Sequence, residues 1–133
     1  GQVRLRGLGS LRRMLMAVSY GKGPKGKATK LHSQLVRARG HCENCWGTSE
    51  LQTAHIIRRT WTHTRTDESN AFCLCARCHR RFTDFPDEFM AFIKVTIGWA
   101  EYLRLKDKAL QGVRVKFDWD AEVLRLQALF EAA

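Results

Sequence analysis

Residues 41–82 read HCENCWGTSELQTAHIIRRTWTHTRTDESNAFCLCARCHRRF. The stretch opens on Cys42-x-x-Cys45 and closes on Cys75-x-x-Cys78, with thirty positions from Cys45 to Cys75. Each such knuckle can present two thiolates at about 2.3 Å from one ion, and two knuckles complete the closed tetrahedral set that structural Zn²⁺ prefers. A disulfide framework is the competing reading. The odd number of cysteines, five, and the expectation of no secretory leader weigh against it. A third reading takes Cys75-Ala76-Arg77-Cys78-His79 as a c-type haem attachment, which leaves Cys42 and Cys45 without a task. Zinc, with the reduced cytoplasmic setting that it implies, accounts for four of the five cysteines. Cys73 is left over and is expected as a small apolar residue inside a strand.

The segment between the knuckles is longer than the roughly 15 to 20 residues of a plain zinc ribbon. Leu51-Gln52-Thr53-Ala54-His55-Ile56-Ile57 alternates and carries β-branched residues, which predicts a short strand with His55 on the face of Leu51, Thr53 and Ile57. Residues 58–70 are polar and basic with little periodicity and predict a loop. A second strand follows near Ala71 to Leu74 and a helix from Ala76 to Phe82. If metal pins both ends, His55 and His79 are brought side by side in a strand, strand, helix unit.

Working outward, residues 1–42 carry ten Lys and Arg and no Asp or Glu, so they hold the whole formal excess of +10. That imbalance points to a polyanionic partner, most often nucleic acid. A short helix is expected over residues 9–19. Gly21-Lys22-Gly23-Pro24-Lys25-Gly26-Lys27 reads as a flexible basic linker, and Thr29 as the cap of a helix ending near Arg39 before Gly40. The expected division is a basic arm and linker over residues 1–28 and one folded unit over residues 29–133. His32 receives no role. Towards the C-terminus, Pro86 to Gly98, Trp99 to Gln111 and Asp118 to Glu131 predict amphipathic helices. Phe89, Phe92, Ile93, Tyr102, Leu103, Leu110, Val123, Leu126 and Phe130 are their expected core residues. No run approaches the roughly 20 apolar residues of a bilayer span, so no membrane partner is expected.

The ordered set His41-Cys42-x-x-Cys45, Ala54-His55-Ile56-Ile57, Asn70 and Leu74-Cys75-Ala76-Arg77-Cys78-His79-Arg80-Arg81-Phe82 resembles the HNH endonuclease family, above all its small zinc-stapled bacteriophage members. The resemblance implies an α+β fold: a ββα-metal core with a structural zinc site, flanked by several helices. It makes His55 the general base, Asn70 the residue that holds the loop and orients the base, and His79 the ligand of a catalytic divalent metal such as Mg²⁺ or Mn²⁺. Lys22, Lys25, Lys27, Arg58, Arg59, Arg65, Arg80 and Arg81 are the expected DNA contacts. Trp61 is placed either to stack on an unpaired base or to anchor the loop by packing. Many members carry Asp or His immediately before the base as a second metal ligand, and here that position is Ala54. Water and phosphate, or His63, Asp67 or Asp84 from a loop, are the possible substitutes. The expected activity is DNA nicking or cutting with little sequence specificity. A non-catalytic zinc-containing nucleic-acid-binding module and a branched-DNA recombination nuclease are the alternatives.

Overall fold

The computed structural model describes residues 20–132. Its elements in order are helix α1 (Gly23–Arg37), strand β1 (Leu51–His55), strand β2 (Ala71–Cys75), and helices α2 (Ala76–Asp84), α3 (Pro86–Thr96), α4 (Trp99–Gln111) and α5 (Trp119–Ala132). The expected helix at residues 9–19 and most of the basic arm lie outside the described residues. Among these residues no helix is long and apolar enough to cross a membrane.

The two strands pair antiparallel, with Leu51 opposite Cys75, Thr53 opposite Cys73 and His55 opposite Ala71. Side chains alternate across a strand, so these pairs share one face and Gln52, Ala54, Phe72 and Leu74 share the other. Helix α1 covers the first face: Val36 packs with Ala71, Cys73 and Leu51, and the Ser33 and Thr53 hydroxyls meet at 3.0 Å. Helices α2 and α3 cover the second, where Ala54, Phe72 and Leu74 join Phe82 and Ile93 in the main core. There the Phe72, Phe82, Phe89 and Phe92 rings lie 4.8–6.2 Å apart in the pairs that touch, within the range in which aromatic contacts add to simple burial. A small hairpin that could not stand alone is thus buried on both sides.

The linker reading is corrected from Gly23 onward, because α1 begins there and the expected boundary at residues 28/29 falls inside it. Pro24 fits the first turn, where its missing N–H costs nothing. Gly21 and Gly23 take positive φ on the way in. Gly26 is buried under the chain it follows: a Cβ there would lie 2.1 Å from the Gly21 carbonyl oxygen. Packing of Ala28 against Val123 and Leu126 of α5 offsets the poor helix propensity of two glycines and a proline. Arg37 is buried, donating to the Ser33 carbonyl at 3.2 Å and towards the Tyr20 hydroxyl at 3.4 Å.

Two further expectations are revised. Strand β1 stops at His55, and Ile56 and Ile57 turn into the core beside Ala54, so Ile57 does not share the His55 face. Ile93, Val123 and Leu126 are buried and Phe89, Phe92 and Tyr102 half-buried, whereas Leu103, Leu110 and Phe130 are exposed. Their helices each have one packed side, and these three residues fall at its margin or beyond it.

Candidate nuclease site and cysteine centre

At the start of the hairpin, the sulfurs of Cys42, Cys45, Cys75 and Cys78 all lie within 4.8 Å of one another. Cys45 Sγ and Cys75 Sγ are 3.7 Å apart, close to the edge of about 3.8 Å that a tetrahedron of 2.3 Å Zn–S bonds requires. The backbone N–H groups of Cys45 and Gly47 point at Cys42 Sγ and Cys45 Sγ at 3.5 and 3.4 Å, and that of Cys78 points at Cys75 Sγ at 3.5 Å. Asn44 Nδ2 donates to Cys78 Sγ at 3.3 Å. Without a cation Cys42 and Cys78 are driven in opposite directions. Burial opposes ionisation of Cys42, yet the surrounding N–H donors bring its thiol down to about 6, while burial pushes Cys78 up to about 12. The donor set therefore suits a thiophilic cation that can hold all four as thiolates. Cys73 faces α1, is fully buried, and lies outside the quartet.

At the other end of β1, a cleft of about 640 Å³ runs between α1, β1 and α2, and its walls include His32, Gln52, His55, Arg58, Arg59 and His79. His55 Nε2 lies 2.9 Å from the Arg65 carbonyl oxygen. A carbonyl only accepts, so Nε2 carries the proton and Nδ1 keeps its lone pair. Burial pushes the His55 pKa below its ordinary 6.5, and the charges of Arg65 and Arg59 add to that against the pull of the carbonyl. The imidazole is neutral at pH 7. His79 Nδ1 is 2.8 Å from Gln52 Oε1. With the Nδ1 proton held by that amide oxygen, Nε2 is the nitrogen open to a metal, the arrangement by which proteins usually orient a histidine ligand. Burial lowers the His79 pKa as well.

Asn70, fully buried, closes the loop between the strands. Its Oδ1 accepts from Ile57 N–H at 2.7 Å, and its Nδ2 donates to the Ile57 and Thr64 carbonyls at 3.0 and 2.9 Å. Asn70→Ala would leave these buried backbone groups without partners. The expected loss is about 3 kcal/mol, read as a fall of roughly 10 °C in Tm by calorimetry.

The loop that supplies the Arg65 carbonyl is held from three helices. From α1, His32 approaches the Asp67 carbonyl at 3.0 Å and Thr29 Oγ1 receives Arg65 Nε at 3.1 Å. From α4, Lys108 meets Asp67 at 2.6 Å. From α5, Glu122 accepts from the Thr66 hydroxyl, and Arg125 binds Glu68 at 2.8 Å and the Thr66 carbonyl at 3.2 Å. Burial opposes ionisation of Glu122, but Arg125 and Thr66 hold its carboxyl below the usual range.

Of the expected DNA contacts, Arg58 and Arg59 are exposed on the rim of the cleft and Arg65 lines it, half-buried. Lys22, Lys25 and Lys27 are exposed at the start of α1. Arg80 and Arg81 line a different hollow beside Cys45, and Arg81 is paired with Glu88 at 2.9 Å. None of the substitute ligands lines the His55–His79 cleft. Asp67 is engaged by Lys108, Asp84 lies near Arg80 at 4.0 Å, and His63 packs edge-on against Phe117. Ala54 is buried in the core.

The sequence reading missed Gln52 and His32. His32 is 1% exposed and its ring centroid lies 5.3 Å from that of His55. Burial, with the His55 charge adding, lowers its pKa to about 4. The unfolded chain takes up that proton near pH 6.5 and the folded one does not, so stability falls as pH drops through this window. About 3 kcal/mol is expected to be lost by pH 4 through this group. Urea titrations at pH 7 and pH 4 should show a smaller loss for His32→Gln than for the unaltered chain.

A hairpin closed by a helix, a cysteine quartet at its base and two histidines on one cleft together fit a ββα-metal core. Residues 29–86 match the model of a family described as HNH endonuclease. The match supports a nuclease domain of the HNH type in general and implies nucleic acid as its substrate. No curated protein and no solved structure matches the chain.

Proposed function

We propose that the chain is a metal-dependent DNA endonuclease that nicks or cuts phosphodiester bonds with little sequence specificity. The observation that carries this reading is the orientation of His55 and His79 on one cleft, each with one ring nitrogen committed to an oxygen acceptor and the other without a hydrogen-bond partner among the described residues. In this reading His55 Nδ1 takes the proton of the attacking water, and Asn70 fixes the loop whose carbonyl sets that tautomer. His79 would hold a divalent cation, whose chemistry would be to neutralise charge on the scissile phosphate and the departing 3′ oxygen. With His79 as the imidazole ligand and none added by Ala54, the donor set suits an ion that keeps several waters and accepts phosphate oxygens, such as Mg²⁺ or Mn²⁺. Zn²⁺ in the cysteine quartet is structural. Arg58, Arg59, Lys22, Lys25 and Lys27 grip flanking phosphates and so position the strand without reading bases. Arg80 and Arg81 contact DNA only if the duplex extends towards the cysteines.

Ala54 favours a second reading, a zinc-containing module that binds nucleic acid without cutting it. Supercoiled-plasmid nicking by the zinc-loaded chain, with Mg²⁺ or Mn²⁺ or with neither, separates the two. The expected result is metal-dependent nicking that His79→Ala abolishes. Binding without nicking under any metal would leave only the module.

A further inference from the structure

The cleft of His55 and His79 has Thr60 in its wall. That residue also borders a second hollow, of about 660 Å³, whose walls include Trp61, Thr62, Val115, Phe117 and Trp119, with Lys116 on its rim. Trp61, Phe117 and Trp119 are each half-buried and line the hollow, so part of each side chain is accessible. Their positions are fixed from behind. Phe117 lies 4.4 Å from Trp119 and receives His63 edge-on at 5.0 Å. His63 is seated against Gly112, where any Cβ would fall 2.1 Å from the imidazole. The Lys25 ammonium stands 5.9 Å from the Trp119 ring centre.

Beside Ala109, Val113 and Val115 the lining offers three aromatic rings, two threonine side chains and Lys116, and Lys25 stands near Trp119; a purely apolar ligand would gain nothing from the ammonium groups. Together these groups suit a nucleobase, whose faces stack on aromatic rings while its phosphates meet Lys25 and Lys116. A base inside a duplex has both faces covered by its neighbours. We propose that this hollow binds an unpaired nucleobase of the strand whose phosphate occupies the His55–His79 cleft, which makes DNA with single-stranded character beside the cut the preferred substrate class. The proposal rests on the endonuclease reading for the position of the cut, but base binding itself does not depend on catalysis.

The test therefore reads binding, in the full zinc-loaded chain with no added divalent metal. Single-stranded oligonucleotides carrying 2-aminopurine at successive positions are compared with the matched duplexes, by 2-aminopurine emission and by anisotropy of an end label. The expected result is quenching at one or two adjacent positions of the single strand and none in the duplex. Val115→Asp, at an exposed edge of the hollow, and Phe117→Leu should each weaken single-strand binding five- to a hundredfold, with duplex binding changed less than twofold. Absence of quenching, or equal effects of both variants on the two substrates, would overturn the proposal. Plasmid nicking with no quenching would remove the base site and leave the nuclease, whereas quenching without any nicking would do the reverse.

Discussion

Replacing His55 by alanine is expected to slow DNA cleavage by roughly 10²- to 10⁴-fold, the usual contribution of a positioned general base, while DNA affinity stays within twofold. The side chain lies at the end of β1 with its Nε2 proton held by the Arg65 carbonyl, so what the substitution removes is one lone pair at Nδ1 and little of the surface that meets phosphate. Single-turnover cleavage with saturating enzyme measures the chemical step, and anisotropy measures binding in the same samples. Added imidazole should restore part of the rate by occupying the space left behind. The pH profile gives an independent check. A base works only when neutral, and burial holds the His55 pKa below 6.5, so the acid limb of the wild-type profile lies below pH 6.5 and is absent from the residual activity of the variant. Wild-type cleavage by His55→Ala would remove His55 from the chemistry altogether.

The parts of this site that the sequence made legible are those whose spacing is local or whose residue type is rare. Two Cys-x-x-Cys pairs announce a four-sulfur centre because few other arrangements use thiols at that interval, and the strand alternation from Leu51 carries His55 to its place. Gln52 and His32 were not legible for the opposite reason. A glutamine in a strand is ordinary until the helix that follows β2 brings His79 to within 2.8 Å of it. A lone histidine in α1 has no signature until the helix lies across the sheet face that bears His55. The start of α1 was misread because glycine and proline mark breaks by local propensity, whereas here burial of Gly26 and Ala28 against the rest of the chain decides. The same limit hid the loop anchors: Thr66 with Glu122 is a contact across 56 positions.

Stripping metal from the cysteine quartet is expected to unfold the nuclease core and not merely to silence it. Binding of structural Zn²⁺ to four-ligand sites contributes about 10–16 kcal/mol in small metal-folded domains, comparable with or above the roughly 5–15 kcal/mol of net stability that a domain possesses. Here the quartet joins the segment before β1 to the end of β2 and the first turn of α2, so its loss frees both ends of the hairpin. Circular dichroism should show a cooperative melt in the zinc-loaded chain that disappears in excess chelator and returns on adding Zn²⁺. Cys42→Ser should behave like the chelated protein. Cys73→Ala tests whether burial or coordination is responsible: Cys73 is as buried as Cys42 but packs with Val36 and Ala71 outside the quartet, so its replacement should lower Tm slightly and leave zinc content unchanged. Equal losses from the two substitutions would mean that packing, not a bound ion, holds the hairpin.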